Sequence, residues 1–439
     1  MSEEVQPEPQ KPVGLIARIR EVGARPVVRN TIYYGINFGL QVLTQFGFFA
    51  LISRVLGPSG YGIFASVSAI ALMVSVFVGL GSDHLLIQRI AVNRDAFASY
   101  FGRALAMMLM TFAPAMMLAF AVLYFLDTGT FSFWGLFCIL AAECVFRKIS
   151  FLCSATYMAH DRAGKQFAVD NAIMILRFLA VAVLTLTTDT VDLDTWALWY
   201  ACASLLASGV SLTMVLKDYG LPGPIFSGFE FRQGFLLSLE FTSVSGMRDL
   251  DKPVVVELLG PAQAGIYTAA FRIIDAATTP VKAALYATYT RYFRHADKGA
   301  EHGIAFGLRV LPVISGLGLA VAVFIVLIAG YVPLLLGEDY EETVGLIRLL
   351  AIYPLLLGAA GIGADIMRSI GMQGTRVILV FVSNFVIVGV VWAGCNLGAL
   401  EGAVLSRMAL QAGIVALTWG LIGRKKSQVG AKAGSSETK

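Results

Sequence analysis

The feature that most constrains the fold of this chain is a series of apolar stretches, each about 20 residues long. Of its 439 residues, 57% are hydrophobic and 14% are charged, whereas a soluble chain carries about 25% charged residues. A helix needs about 20 apolar residues to cross a bilayer. The stretches are continuous and do not alternate in polarity as the strands of a membrane barrel do. We therefore expect an all-α polytopic membrane protein.

A nine-residue pattern occurs twice in the chain. It reads LGPSGYGIF over residues 56–64 and LGPAQAGIY over residues 259–267. Each copy lies between two apolar stretches, and a Gly-Pro pair ends a helix because proline lacks an N–H and disfavours a helical residue before it. The same hairpin in the same context, about half a chain length apart, indicates a duplicated unit.

The apolar stretches predict about 12 membrane-spanning helices, six before a central linker and six after it. The predicted spans are 30–56, 61–87, 101–126, 132–157, 166–187, 195–216, 233–258, 264–292, 304–336, 343–370, 376–396 and 401–423. The chain then divides into five segments. These are a basic cytoplasmic tail at 1–29, an N-terminal six-helix lobe at 30–216, a cytoplasmic linker at 217–232, a C-terminal six-helix lobe at 233–423, and a polar, disordered cytoplasmic tail at 424–439.

Charge is distributed unequally between the two sides of the predicted membrane. With both termini inside, the predicted outer loops contain no lysine or arginine and carry only acidic charges, whereas the inner loops and tails hold the basic residues. This is the positive-inside pattern, and it predicts that both termini are cytoplasmic. Each half then begins inside and turns outside at its Gly-Pro hairpin, so the two lobes are parallel.

The loops offer no place for enzyme chemistry. The outer loops are short, the four histidines lie near the inner surface, and the five cysteines lie in or beside apolar stretches without paired spacing. No phosphate-binding nucleotide motif is present. We therefore expect a transporter with no cofactor, no metal site and no nucleic-acid partner.

Several ionisable residues fall inside the predicted spans, where they are costly and usually face a partner or a wet cavity. At 1.5 Å per residue, Glu143 and Arg177 lie near the middle of their spans. Arg147 follows Glu143 by four residues, so the two side chains share a helix face and can pair. Arg177 is expected to stand alone at the centre of its span.

The C-terminal half carries more of these charges. Arg272, Asp275 and Lys282 follow one stripe of the eighth span, which Pro280 interrupts. The cations are candidates for substrate and cavity contacts: Arg147, Arg177, Arg248, Lys252, Arg272 and Lys282. The carboxylates are candidates for binding a coupling ion, H⁺ or Na⁺: Glu143, Glu240, Asp251 and Asp275.

Two interpretations of these charges stay open. Each group could belong to a packed ion pair that fixes helix register, and those of the seventh span could form an outer-interface cluster. Alternatively, cations at mid-depth suit an anionic substrate, because a low dielectric strengthens each attraction and arginine binds phosphate in a bidentate manner. The Arg272 stripe and Arg177 favour the second interpretation. We expect the site first in the C-terminal lobe, because several charged residues precede its hairpin, whereas the segment before the N-terminal hairpin is nearly uncharged.

Residues 54–64, RVLGPSGYGIF, resemble the opening of bacterial Wzx-type polysaccharide flippases, in the polysaccharide transport branch of the multidrug/oligosaccharidyl-lipid/polysaccharide exporter superfamily. Asp251-Lys252 before the second hairpin, LGEDY at 336–340 and LGALEGA at 397–403 resemble the same family in order along the chain. The resemblance covers nearly the whole chain. It departs from the family at 79–83, where GLGSD replaces the usual acidic-Leu-Gly.

The resemblance implies a V-shaped pair of lobes in the bacterial inner membrane that opens alternately to each side. The implied cargo is an oligosaccharide on a polyprenyl pyrophosphate, moved to the periplasmic leaflet, and implied partners are membrane lipids, a polysaccharide polymerase and export machinery. The alternatives are a multidrug or small-molecule exporter of the same superfamily, a membrane-embedded polysaccharide polymerase, and a non-transporting scaffold.

Overall fold

The computed structural model describes residues 26–125, 131–188, 191–223, 225, 228, 230–235, 238 and 249–437, and these contain helices and no β-strand. In the N-terminal half the helices are α1 (Pro26–Ser75), α2 (Ser82–Val92), α3 (Phe97–Phe125), α4 (Phe133–Ala141), α5 (Arg147–Ala159), α6 (Ala163–Thr187) and α7 (Leu193–Tyr219). In the C-terminal half they are α8 (Asp251–Leu259), α9 (Pro261–Ala277), α10 (Thr279–Ala296), α11 (Ala300–Ile328), α12 (Val332–Leu336), α13 (Thr343–Leu349), α14 (Tyr353–Ser369) and α15 (Gln373–Glu437).

The chain is a multi-pass membrane protein. Among the described residues, seven helical segments are long and apolar enough to cross a bilayer. Gly39–Ser75 covers parts of the first two predicted spans, and Gln373–Ser427 contains the last two, in each case joined at a kink. The count of twelve spans stays a prediction.

Two predicted boundaries are wrong. The second span was expected to continue to residue 87, but α1 ends at Ser75 and a turn separates it from α2. Gly79, Leu80 and Gly81 in this turn all have positive φ, which an α-helix does not accommodate. The C-terminal tail was expected to be disordered from residue 424, but α15 continues through Glu437.

Two helix interruptions lie next to charged residues. A π-helical turn at Ala142–Phe146 separates α4 from α5 and contains Glu143. A break at Thr278 separates α9 from α10, as Pro280 predicted. Such irregular turns re-aim the side chains of a helix and are frequent at functional sites.

The two copies of the repeated hairpin share one backbone conformation. Gly57 has φ 64° and ψ 178°, and Gly260 has φ 88° and ψ 166°. A residue with a Cβ rarely adopts this positive φ with extended ψ, so glycine permits the turn before each proline.

The hairpins also pack against each other. A Cβ on Gly62 would clash with the carbonyl oxygen of Pro261, and a Cβ on Gly265 would clash with that of Pro58. These reciprocal contacts relate the two halves by a pseudo-two-fold axis. Around them, α1 packs against α8, α9 and α12. The halves also meet away from the hairpins, where Gly234 approaches the Leu80 carbonyl and the rings of Phe77 and Phe235 are neighbours.

The linker lies at the opposite end of the N-terminal half. The Gly223 carbonyl approaches Gly102 on α3, and the Glu230 carboxylate accepts hydrogen bonds from Arg89, at 2.7 Å, and from Tyr100. The bond from Arg89 lowers the pKa of Glu230 below its ordinary value. The linker is therefore held against the N-terminal half at neutral pH.

Gly62→Ala is expected to destabilise the protein by about 1–3 kcal/mol, because its methyl group must push apart two backbones that are already in contact. The measurement is thermal unfolding in detergent. Gly209→Ala on α7, which has open space at the Cβ position, is the control and should unfold no earlier than the parent protein. Equal stability of the two variants would contradict the hairpin contact.

Candidate functional site

A cavity with a volume of about 350 Å³ lies within the C-terminal half. Helices α9, α10, α14 and α15 and the residues around the start of α8 form its walls. The side chains that line it are Asp249, Lys252, Thr268, Phe271, Arg272, Asp275, Lys282, Tyr353, Leu357, Ile387, Arg407, Leu410 and Gln411.

The charge of this lining is predominantly positive. Among the described residues it includes four cations, Lys252, Arg272, Lys282 and Arg407, and two carboxylates, Asp249 and Asp275. The structure therefore brings together four of the residues predicted from the sequence, namely Arg272, Lys282, Lys252 and Asp275. Predicted residues Arg248 and Glu240 lie outside the described part of the chain.

Lys282 and Asp275 form an ion pair across the break between α9 and α10. The Lys282 Nζ lies 2.6 Å from Asp275 Oδ1 and 3.3 Å from the Asp275 carbonyl oxygen, which also accepts a hydrogen bond from Thr278. Residues seven apart meet because the break draws Lys282 back toward the preceding helix. The two side chains are 31% and 33% exposed, so a ligand in the cavity can reach both charged groups.

Arg272 connects the cavity with the N-terminal half. It lies close to Tyr61 of the first hairpin and to Asp249 and Asp275. Tyr61 is itself only 4% exposed. Arg272 thus lines the cavity at a point close to the N-terminal half.

Arg407 is a cavity residue that the sequence analysis missed. It pairs with Asp251, lies over the ring of Phe271 at 4.1 Å from the ring centroid, and shares Asp251 with the Tyr267 hydroxyl. The depth rule applied to the other spans would have found it, because it lies six residues inside the last predicted span.

The geometry around Asp251 favours a positioning role. Its side chain is completely buried behind the cavity wall and is already neutralised by Arg407. Lys252 is held in a similar way, as it pairs with Asp249 and is 4% exposed. Within the described part of the cavity, Asp275 is therefore the more accessible of the two predicted coupling carboxylates.

The N-terminal half contains a separate charged cluster at the π-helical turn. Arg147 lies 3.0 Å from Glu143, as the four-residue spacing predicted. The expectation that Arg177 stands alone is wrong, because its Nη1 lies 3.0 Å from Glu143 Oε1. The error arose because partners on a different span cannot be seen in the spacing along one helix.

Arg177 has further contacts within this cluster. Its Nε donates to Ser204 Oγ at 2.9 Å, and the guanidinium covers the ring of Tyr200 at 4.0 Å from the centroid. The Tyr200 hydroxyl in turn donates to Glu143. This network joins helices α4–α7 and does not line the C-terminal cavity. Its most exposed member is Arg147, whose side chain is 47% exposed.

Residues 51–345 match the family model described as polysaccharide biosynthesis protein. No curated protein sequence matches the chain significantly. Among solved structures, one is an inward-facing conformation of a multidrug resistance MATE family transporter of the MOP superfamily, with a TM-score of 0.63 and 17% identity, covering 88% of this chain and 96% of that one.

Two further solved structures have the same fold. The MATE multidrug transporter DinF-BH, solved in a ligand complex, has a TM-score of 0.60 and 16% identity, covering 96% of this chain and 98% of that one. A MOP superfamily transporter from Pyrococcus furiosus, described as having a binding pocket of reverse polarity, has a TM-score of 0.59 and 18% identity, covering 91% and 96%. The predicted all-α exporter fold is confirmed, and the similarities agree with a transporter rather than an enzyme.

Proposed function

Because the chain belongs to the polysaccharide biosynthesis protein family, we propose that it flips polyprenyl-pyrophosphate-linked oligosaccharide units from the cytoplasmic to the periplasmic leaflet for surface polysaccharide synthesis. The protein lies in the bacterial inner membrane with both termini in the cytoplasm. This orientation rests on the positive-inside pattern of the loops.

The observation that carries the proposal is the cationic lining of the C-terminal cavity. Its cations outnumber its carboxylates among the described residues, and pyrophosphate is the most densely charged part of the proposed cargo. In a partly desolvated cavity, arginine and lysine attract phosphate oxygens more strongly than they do in water. The polyprenyl tail would remain in the lipid beside the lobes.

Transport would proceed by alternating access between the lobes at 30–216 and 233–423, joined by the linker at 217–232. The contacts at the hairpin end support a state that is closed toward the periplasm if the proposed orientation is right. The Asp275–Lys282 pair is the candidate site for coupling to H⁺ or Na⁺, because protonation or ion binding at Asp275 would release Lys282 toward the cargo. A polysaccharide polymerase would receive the flipped unit.

The test is a flipping assay in proteoliposomes with a fluorescent polyprenyl-pyrophosphate-linked sugar. We expect the inner-leaflet pool to become accessible to an impermeant quencher only when the protein is present. The corresponding polyprenol, which lacks the pyrophosphate, is the control and should not be flipped. Equal flipping of both lipids would contradict recognition through the pyrophosphate.

The second candidate function is multidrug export, which the fold similarity to MATE transporters supports. The predominantly cationic cavity disfavours the organic cations that such an exporter would carry. The same vesicles should therefore fail to take up a fluorescent cationic dye under an imposed proton or sodium gradient. Uptake of the dye without flipping of the lipid-linked sugar would reverse the order of the two candidates.

A further inference from the structure

We propose that an exposed aromatic face of α10 binds the sugar rings of the cargo while the pyrophosphate occupies the neighbouring cationic cavity. This aromatic face consists of Tyr286, Tyr289 and Phe293, and it begins one helical turn after Lys282. The inference rests on the proposed function and adds to it a site for the carbohydrate part of the lipid-linked sugar.

The aromatic face lies on the same side of α10 as the cavity residue Lys282. Its three residues follow Lys282 at intervals of four, seven and eleven residues, which place side chains on one face of an α-helix. Because Lys282 lines the cavity, the aromatic face continues from the cavity wall along the helix. At 1.5 Å per residue it extends from about 6 Å to about 16 Å beyond Lys282, toward the cytoplasm in the proposed orientation.

Another side of α10 packs within the C-terminal half, against α11 and α14. Tyr292 is fully buried, and its ring meets that of Phe306 on α11 edge-on with 5.0 Å between the ring centroids. Leu285 lies against Gly361 on α14. These contacts fix the rotation of α10 about its axis, so the aromatic face is directed away from the two helices that support it.

The rings of the aromatic face are accessible to a ligand. Tyr286 is 82% exposed, Phe293 41% and Tyr289 36%. The ring of Tyr289 lies 5.2 Å from that of Phe293 and 5.6 Å from the guanidinium of Arg368 on α14. Arg368 is in turn paired with Asp365 at 2.6 Å. Tyr289 is therefore held in place by its neighbours, whereas most of the Tyr286 side chain is available for binding.

A sugar matches this surface in both its chemistry and its position. The C–H groups of a sugar ring pack on the face of an aromatic ring, and a tyrosine hydroxyl can exchange hydrogen bonds with the sugar hydroxyls. Contact with lipid would not explain why the face continues from Lys282, since a pair such as Lys282–Asp275 is costly in hydrocarbon and belongs beside a wet cavity. In the proposed cargo the first sugar is attached directly to the pyrophosphate, so a pyrophosphate at Lys282 places that sugar next to Tyr286.

The experiment compares two probes that differ only in their sugar. Farnesyl pyrophosphate, and farnesyl pyrophosphate carrying two N-acetylglucosamine residues, are each titrated onto the full chain in lipid nanodiscs. We expect the disaccharide to raise the affinity of the parent protein by about fivefold through stacking on the exposed ring. Tyr286→Ala should lose this gain, while its affinity for farnesyl pyrophosphate stays within about twofold of the parent value because the cationic cavity is unchanged.

Two further variants separate stacking from a general effect on structure. Tyr286→Phe keeps the aromatic ring and should retain most of the gain from the sugar. Tyr331→Ala removes another tyrosine of the C-terminal half, which is 68% exposed but lies outside α10 and the cavity, and it should bind both probes as the parent does. Thermal unfolding in detergent should show equal stability for all these variants, as expected for exposed side chains.

The outcomes distinguish the sugar site from the proposed function. A parent protein that binds both probes equally, or a Tyr286→Ala variant that keeps the full gain from the sugar, would overturn the sugar site and leave pyrophosphate recognition in place. Equal loss of affinity for both probes in Tyr286→Ala would also overturn it, because the tyrosine would then act on the lipid or on the cavity. A parent protein that binds neither probe would refute pyrophosphate recognition, and with it both proposals.

Discussion

Replacing Glu143 with glutamine is expected to lower the free energy of unfolding by about 3–5 kcal/mol, the cost of leaving a buried charge without its counter-charge. Glu143 is almost fully buried and is the carboxylate shared by Arg177 and Arg147. Arg177, with a side chain only 12% exposed, would lose its counter-ion. Loss of the proton does not relieve this penalty, because an arginine side chain stays charged in proteins.

The measurement is the folded fraction in detergent as temperature or denaturant is raised. Adding Arg177→Met to Glu143→Gln should recover most of the loss, since no buried charge then remains without a partner apart from the half-exposed Arg147. Asp161→Asn is the control, because it removes a carboxylate from the exposed Arg94–Asp161 pair. That change should cost less than about 1 kcal/mol.

This prediction separates two roles that the sequence left open for Arg177. If Arg177 bound cargo, Glu143→Gln would leave the protein stable and alter transport alone. If it anchors the N-terminal helices, as its contacts with Glu143, Ser204 and Tyr200 indicate, stability falls first. A stable Glu143→Gln variant with normal thermal unfolding would contradict the structural role.

Much of the architecture follows from local sequence rules. Apolar length predicts the membrane helices, because each span must satisfy its own backbone groups in hydrocarbon. The Gly-Pro pairs predict both hairpins, since Gly57 and Gly260 adopt a backbone conformation that favours glycine. Pro280 likewise predicts the interruption at Thr278. Each of these features depends on residues that are neighbours along the chain.

The features that escaped prediction depend on contacts between distant spans. The reciprocal packing of Gly62 on Pro261 and of Gly265 on Pro58 joins two halves that the repeat shows only to be similar. Arg177 has its counter-ion on another helix, as does Arg407. The positions of charged residues along one helix predict how deep they lie in the membrane and which helix face they share. Their partners on other helices depend on how the helices pack.

Replacing Lys282 with methionine is expected to slow flipping of a polyprenyl-pyrophosphate-linked sugar by about 10- to 150-fold, the loss that corresponds to one charge-assisted hydrogen bond of about 1.5–3 kcal/mol. Methionine retains the length and apolar stem of lysine. The protein should stay folded, because the Asp275 carboxylate left behind is one-third exposed and can be hydrated or protonated. The flipping rate in proteoliposomes and the folded fraction are measured on the same preparation.

The control is Lys165→Met, which also breaks a lysine–aspartate ion pair, the one between Lys165 and Asp218 outside the cavity. It should leave flipping within about twofold of the parent rate, as expected for an exposed pair worth less than about 1 kcal/mol. Asp275→Asn completes the comparison: it should keep Lys282 available to the cargo but remove the acceleration by an imposed proton or sodium gradient. If Asp275→Asn responds to the gradient as the parent does, Asp275 is not the coupling site. If Lys282→Met flips at the parent rate, the cationic cavity is not where the pyrophosphate binds.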